Sequence, residues 1–250
     1  MRQTAPALLV LGLVCVLPQA GRAGGDEATA IINKAIKAHY PKGVDTKHLG
    51  LRVKSKGTLH IQGMDLDFTQ EVAVQMPNKF KETMELTVNN MKVNTIAVYN
   101  GKQGWVKAAG KEIPVEKELL AEFQEAAYSM GLAQGMFLKD KGLKFSLLGE
   151  VKVKGKPAVG VKVSKEGKKD LSFYFDKATG LVAKVEVRKR DFMTDQEVTE
   201  ERIITAYQDV QDRKVAKKVE VLRDGNPFLE MEVQEVQVLE RLDDSEFARP

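Results

Sequence analysis

Beyond residue 26 the spacing of apolar positions changes period twice. Asp26 offers a helix cap, and Ala28, Ile31, Ile32, Ala35, Ile36 and His39 follow at three- and four-residue spacing. Pro41 and Gly43 then stop the pattern, so an amphipathic helix is predicted over 27–39. From Leu51 the period becomes two. Leu51, Val53, Ser55, Gly57 and Leu59 face one way, with Lys54 and Lys56 opposite. Met64, Leu66, Phe68, Gln70, Val72 and Val74 alternate against Asp65, Asp67, Thr69 and Glu71, and Gly63 marks a hairpin turn. After Pro77-Asn78, Phe80, Met84, Leu86 and Val88 alternate against Lys79, Lys81, Thr83 and Glu85. Asn89-Asn90 turns the chain into a strand over 91–99, and Asn100-Gly101 leads to a short strand around Trp105. Half-buried strands joined by short turns form an antiparallel meander.

A helical stretch interrupts the strands. Leu119, Phe123, Ala126, Met130, Ala133 and Phe137 recur at helical spacing, behind Glu116, Glu118, Glu122 and Glu125. Acidic residues early in a helix complement its positive end, so 116–137 is predicted helical, with a break near Gly131 or Gly135. Strands then resume at 145–150, 151–153, 159–163 and 171–175, and the Asp176-Lys-Ala-Thr-Gly180 turn precedes one at 181–188. Three long strands follow near 197–208, 214–223 and 228–239. In the last, the apolar parity shifts between Val233 and Val236, the mark of a bulge. Nothing resembling a Pro/Ser-rich linker divides the chain. The fold class is mainly β (α+β), a single curved antiparallel sheet of ten or more strands with two helical insertions.

The segment before this pattern reads as a targeting signal. Arg2 is a short positive region and Ala7–Leu17 an apolar run. Pro18 follows, and Gly21-Arg22-Ala23 places small residues at −3 and −1 of a cleavage site. The apolar run falls short of the ~20 residues that cross a bilayer. We read residues 1–23 as a signal peptide and 24–250 as one domain. Cys15 lies within the removed segment, so the mature chain carries no cysteine, which suits a bacterial envelope protein without disulfides. Removal also takes Arg2 and Arg22 while leaving all 35 acidic residues, so the formal charge falls from +4 to +2.

That charge argues against nucleic acid, as does the lack of aromatics interleaved with the lysines. Overall composition, 43% hydrophobic and 30% charged, is that of an ordinary globular chain. His39, His48 and His60 are spaced too irregularly for a metal cluster, and no metal or other cofactor is expected. Asp65 and Asp67 share a face that alternation places in solvent. No nucleophile elbow, Walker sequence or His-Glu-x-x-His occurs, so no enzyme mechanism can be assembled.

The apolar parities are more informative. Leu66, Phe68, Phe80, Met84, Leu86, Phe173 and Phe175 fall on the inward side of their strands, and Phe123, Met130 and Phe137 on the stripe of the central helix. These ten residues would line either a packed core or an apolar ligand cavity. A strongly curved sheet covered by only two helices leaves room for the second, and flexible methionines suit varied acyl chains.

The order of elements resembles the LolA/LolB-like outer-membrane lipoprotein-sorting proteins. The resemblance is carried by Ala28-x-x-Ile31-Ile32-x-x-Ala35-Ile36, by Tyr99-Asn-Gly-Lys-Gln-Gly-Trp105 and by Val153-Lys-Gly-Lys-Pro-Ala158. Tyr174-Phe175-Asp176-x-x-Thr179-Gly180-Leu181-x-x-Lys184 and the closing Phe247-Ala-Arg-Pro250 complete it. It implies an incomplete β-barrel of about eleven strands, with an N-terminal helix and a central helical lid over an apolar cavity. It also implies a monomeric periplasmic protein that binds lipid acyl chains or lipoproteins and transiently contacts membrane-associated donor or acceptor proteins. The family's carriers hold the lid with a buried arginine. Arg52 lies on the polar parity of its strand and is not assigned that role. The alternative within the same fold is a periplasmic sensor or regulatory module without transport.

Overall fold

The computed structural model describes residues 20–250 apart from 45, 46, 48, 62, 134–141 and 192–195, with the backbone alone at 20–24 and 133. Helix α1 (Ala20–His39) leads into β1 (Gly50–Ile61), β2 (Met64–Gln75), β3 (Lys79–Val88), β4 (Met91–Tyr99), β5 (Gly104–Ala108) and β6 (Lys111–Ile113). Helix α2 (Lys117–Ala133) follows. The chain continues through β7 (Lys144–Val153), β8 (Lys156–Ser164), β9 (Leu171–Asp176) and β10 (Val182–Arg190). It ends with β11 (Glu197–Val210), β12 (Arg213–Arg223), β13 (Asn226–Leu239) and a 3₁₀ turn (Asp244–Phe247).

All thirteen strands form one antiparallel sheet in the order β6-β5-β4-β3-β2-β1-β13-β12-β11-β10-β9-β8-β7. Two meanders therefore meet where β1 pairs with β13, and the sheet stays open between β6 and β7. The connection between those two free edges carries α2, which the topology thus obliges to cross the mouth of the sheet. The architecture is the expected curved half-barrel with two helices, with two more strands than the eleven expected.

The added strands and shifted boundaries have local causes. Strand β6 has three residues, too few to show an alternation. The stretches 145–150 and 151–153 are one strand interrupted by a bulge, where Gly149 sits at φ +89°. Helix α1 begins at Ala20 instead of 27, because no proline lies between Pro18 and its end, and Asp26 is an interior residue of it. The anticipated bulge in β13 is present: Glu235 pairs with Lys54 and Val233 with Ser55, leaving Gln234 as the extra residue.

The central pair, β1 and β13, comes very close at Gly57. A Cβ on Gly57 would stand 1.9 Å from the Glu230 carbonyl oxygen, so only glycine admits the close approach of β1 to β13 there. On the inner face, Ala28, Ile32, Ala35, Ile36 and Tyr40 of α1 pack on Val161, Val163, Leu171, Phe173 and Phe175. Farther along that face, Phe123 and Ala127 of α2 pack on Leu51, Val74, Met76, Phe80, Tyr99 and Val238. On the outer face Phe247 and Leu242 of the C-terminal segment cover Ala73 and Val98.

Candidate functional site

The two helices meet the inner face differently. Small Ala28 and Ala35 let the α1 backbone lie close along β7, β8 and β12. No strand comes as close to the α2 backbone among the described residues; it reaches the sheet through large side chains. Phe123 is the aromatic one among these. Its ring meets Phe80 edge-on at 5.4 Å between centroids and Tyr99 at 6.5 Å. The ring seats on Gly104, where an added Cβ would approach it to 2.6 Å. The other side of α2 is held by charge. Glu125 pairs with Lys168 at 3.0 Å and accepts the Lys169 amide at 3.1 Å, and Glu122 pairs with Lys169 at 2.6 Å.

Between these attachments lies a cavity of about 320 Å³, lined by Pro77, Asn78, Tyr99, Gln124, Tyr128, Gly131, Leu132, Lys165 and Lys168. Tyr99 and Leu132 are buried in its floor. The ammonium groups of Lys165 and Lys168 stand 5.8 and 5.3 Å from the centroid of the Tyr128 ring. The site thus has an apolar floor, an aromatic wall and a basic rim.

Nine of the ten candidate residues divide among three places. Phe80, Phe123 and half-buried Met130 lie together under α2. Phe173 and Phe175 are stacked 6.2 Å apart under α1. Leu66, Phe68, Met84 and Leu86 occupy the inner face of β2 and β3, with Phe68 and Leu86 directly paired. That stretch runs toward the hairpin ends, where Met64 and Met91 are 49% and 65% exposed. Phe137 and His48 lie outside the described residues. The cavity lining was legible in part: Tyr128 and Leu132 stand four residues apart, a second α2 stripe beside the one carrying Phe123. Lys165 and Lys168 read as ordinary turn lysines, and only tertiary packing brings them to Tyr128.

Charge also enters the inner face near β10–β12. Glu200, 3% exposed, pairs with Arg202 at 2.8 Å, Lys189 at 3.2 Å and Arg223 at 3.3 Å, and Arg223 also pairs with Asp191 at 2.5 Å. Burial alone would raise the Glu200 carboxyl, but Arg202, Lys189 and Arg223 outweigh it and hold it at about 2. At the end of α1, burial lowers the His39 pKa; Nε2 accepts the Val182 amide at 3.1 Å and Nδ1 faces the Lys214 carbonyl at 3.3 Å. This pairing assigns the neutral tautomer with the proton on Nδ1. Arg52 lies on the outer face and pairs with Glu246 and Glu71. Asp65 and Asp67 are exposed, bonded to His60 and Thr58.

No family model and no curated protein matches the sequence. Among solved structures the chain is similar to a LolA superfamily protein from Nitrosomonas europaea, at 10% identity, over 89% of this chain and 97% of that one, with a TM-score of 0.56. It is also similar to a domain named for outer membrane lipoprotein sorting from Vibrio parahaemolyticus, at 12% identity, over 89% and 97%, TM-score 0.51. A DUF1329 family protein from Desulfovibrio piger aligns at 13% identity, over 88% and 97%, TM-score 0.50. At such identities the shared property is the fold: this chain has the LolA-like fold.

Proposed function

We propose that the chain is exported through residues 1–23, cleaved near Ala23, and acts in the periplasm as a binding module for a lipid or lipidated protein. The observation that carries this reading is α2. It spans the mouth between the two free sheet edges, stands on large side chains over an apolar face, and leaves a cavity beneath it. Acyl chains take the place of those side chains when α2 lifts, driven by about 0.8 kcal/mol per buried methylene. Cleavage near Ala23 leaves Ala28, Ile32, Ala35 and Ile36 in place, so α1 keeps its packing on the sheet. A fold neighbour named for outer membrane lipoprotein sorting supports the lipid-binding part of this reading; on it the chain acts as a monomer that transiently contacts membrane-associated donors and acceptors.

The test is native mass spectrometry, with lipid extraction, of protein purified from an envelope fraction. Retained lipid or lipopeptide is the expected result. Protein that emerges empty, and stays empty after incubation with triacylated lipopeptide, overturns the reading.

A further inference from the structure

We infer that the free edge of β7 takes up an extended segment of a partner protein as an added antiparallel strand, paired along residues 149–153. No residue of β7 lines the cavity beside α2, so this surface is separate from the lipid-binding reading and goes beyond it.

The two edges of the sheet differ. β6 has three residues, and Arg249 of the C-terminal segment pairs with its Glu112. β7 has ten, and no strand lies beyond it among the described residues. Its register shows which backbone groups are left over. Lys154 and Gly155 have φ of 47° and 79°, the left-handed pair of a two-residue hairpin, so Val153 and Lys156 exchange hydrogen bonds. Bonded pairs then alternate along the ladder. Val151 bonds Ala158, while Lys152 opposite Pro157 and Glu150 opposite Val159 do not bond. Pro157 has no N–H to give, and its carbonyl accepts the Lys177 amide at 3.0 Å, on the side away from β7. The N–H and C=O of Glu150 and Lys152 therefore point off the free edge.

Side chains along this arm set the partner's chemistry. Leu148 and Val151 turn to the outer face, 42% and 39% exposed, and extend the cluster of buried Val153, Ala158 and Ile203. Lys152 forms no ion pair among the described residues, whereas Glu150 pairs with Lys177. A partner strand thus gains from a carboxylate opposite Lys152, an aliphatic side chain opposite Val151 and a neutral one opposite Glu150. The bulge at Gly149 selects the kind of strand. Bulges twist an edge away from another folded sheet, and a second copy would bring a second bulge to the same contact. A flexible segment can follow the twist. Its main-chain bonds supply affinity and its alternate side chains supply selectivity.

The probe is the peptide acetyl-Thr-Val-Glu-Ile-Thr-Val-Thr-amide, with its Glu opposite Lys152 and its Ile opposite Val151. It is titrated into the full chain, and amide exchange is read residue by residue by NMR. In the free chain the Glu150 and Lys152 amides should exchange rapidly, while β8 protects those of Val151 and Val153. Saturating probe should slow Glu150 and Lys152 at least tenfold. Lys152→Pro deletes one free-edge donor and keeps every β7–β8 bond, and should weaken the probe at least tenfold, with thermal melting confirming the fold. Lys152→Ala keeps the donor and should cost about threefold. Lys152→Glu should reverse the preference, favouring a probe with Lys in place of its Glu.

A probe that fails to bind, or binds with indifference to both Lys152→Pro and the charge reversal, overturns the inference. Glu150 and Lys152 amides already protected in dilute free chain also overturn it, since the edge is then occupied from within. Protection that grows with protein concentration, accompanied by a dimer in sedimentation, gives the edge to a second copy and overturns the assignment to a partner. Retention of lipid is measured independently and stands or falls apart from all of these.

Discussion

Replacing Phe123 with alanine tests whether α2 is a lid. The ring is 9% exposed, meets Phe80 and Tyr99 edge-on and seats on Gly104, so its removal empties that socket. Buried Phe→Ala changes cost about 3–5 kcal/mol. The pairs Glu125–Lys168 and Glu122–Lys169 are partly exposed, and such pairs contribute about 0.2–1 kcal/mol each. The aromatic socket therefore dominates, and screening the ion pairs with salt should leave α2 seated. Native-state hydrogen exchange reads this directly. In the unmodified protein the α2 amides should exchange through a local opening, at lower free energy and with weaker urea dependence than the amides of β1 and β13. Phe123→Ala should speed α2 exchange on the order of a hundredfold, the equivalent of about 3 kcal/mol. Strand amides that exchange by global unfolding lose the same contact, so the gap between α2 and the strands is the diagnostic quantity. If α2 and β1 exchange at one free energy with one urea dependence, α2 belongs to the core and the lid assignment fails. If Glu122→Gln with Glu125→Gln loosens α2 more than Phe123→Ala does, the ranking of the two attachments is wrong.

Three other perturbations address the frame that carries the site. Gly57→Ala places a Cβ against the Glu230 carbonyl, a backbone atom that cannot turn aside, and should cost more than the ~1–3 kcal/mol usual for overpacking; an unchanged urea midpoint would refute the close crossing. The folded state keeps His39 below its unfolded value near 6.5, so the stabilisation from the neutral ring is complete above that value and declines as the pH falls through it; His39→Gln should flatten stability between pH 7 and 5, and parallel curves for both proteins would count against it. Glu200, held at about 2 against an unfolded value of 4.5, contributes about 3 kcal/mol above pH 4.5 that is lost as pH falls toward 2; Glu200→Ala should remove a comparable amount at pH 7, and a loss under 1 kcal/mol would mean its cations find other partners.

Alternation of apolar and polar residues reports which face a residue occupies and little else, and this accounts for what was legible. The bounds of β4, the bulge in β13 and the inward parity of Phe80 and Phe173 all follow from local period. Which helix covers a given inward residue does not, because that depends on the distant β1–β13 pairing. Hence Phe80 and Phe173 share a parity yet lie under different helices. Lys189, Glu200, Arg202 and Arg223 defeat the parity rule outright. They sit on inward positions of β10–β12 because their charges compensate one another, within β11 and across strands, with Arg223 reaching Asp191 32 residues away in the chain.

The contrast between the helices leads to a last expectation, on cargo with more than one chain. Such cargo exceeds the closed cavity and must lift α2, so its apparent affinity is its intrinsic affinity reduced by the small fraction of molecules that are open. The Phe123 socket, at about 3 kcal/mol, is offset by roughly four buried methylenes at ~0.8 kcal/mol each. An acylated partner therefore has ample driving force to displace the helix, whereas short chains do not. Phe123→Ala raises the open fraction, and should tighten binding of a triacylated lipopeptide more than that of palmitate, whose one chain is small enough for the closed cavity. Phe123 does not line that cavity, so the two ligands report on separate events. The measurement is a pair of titrations on the unmodified protein and the variant. Equal shifts for both ligands would show that one closed site serves them, and that α2 does not gate the larger cargo.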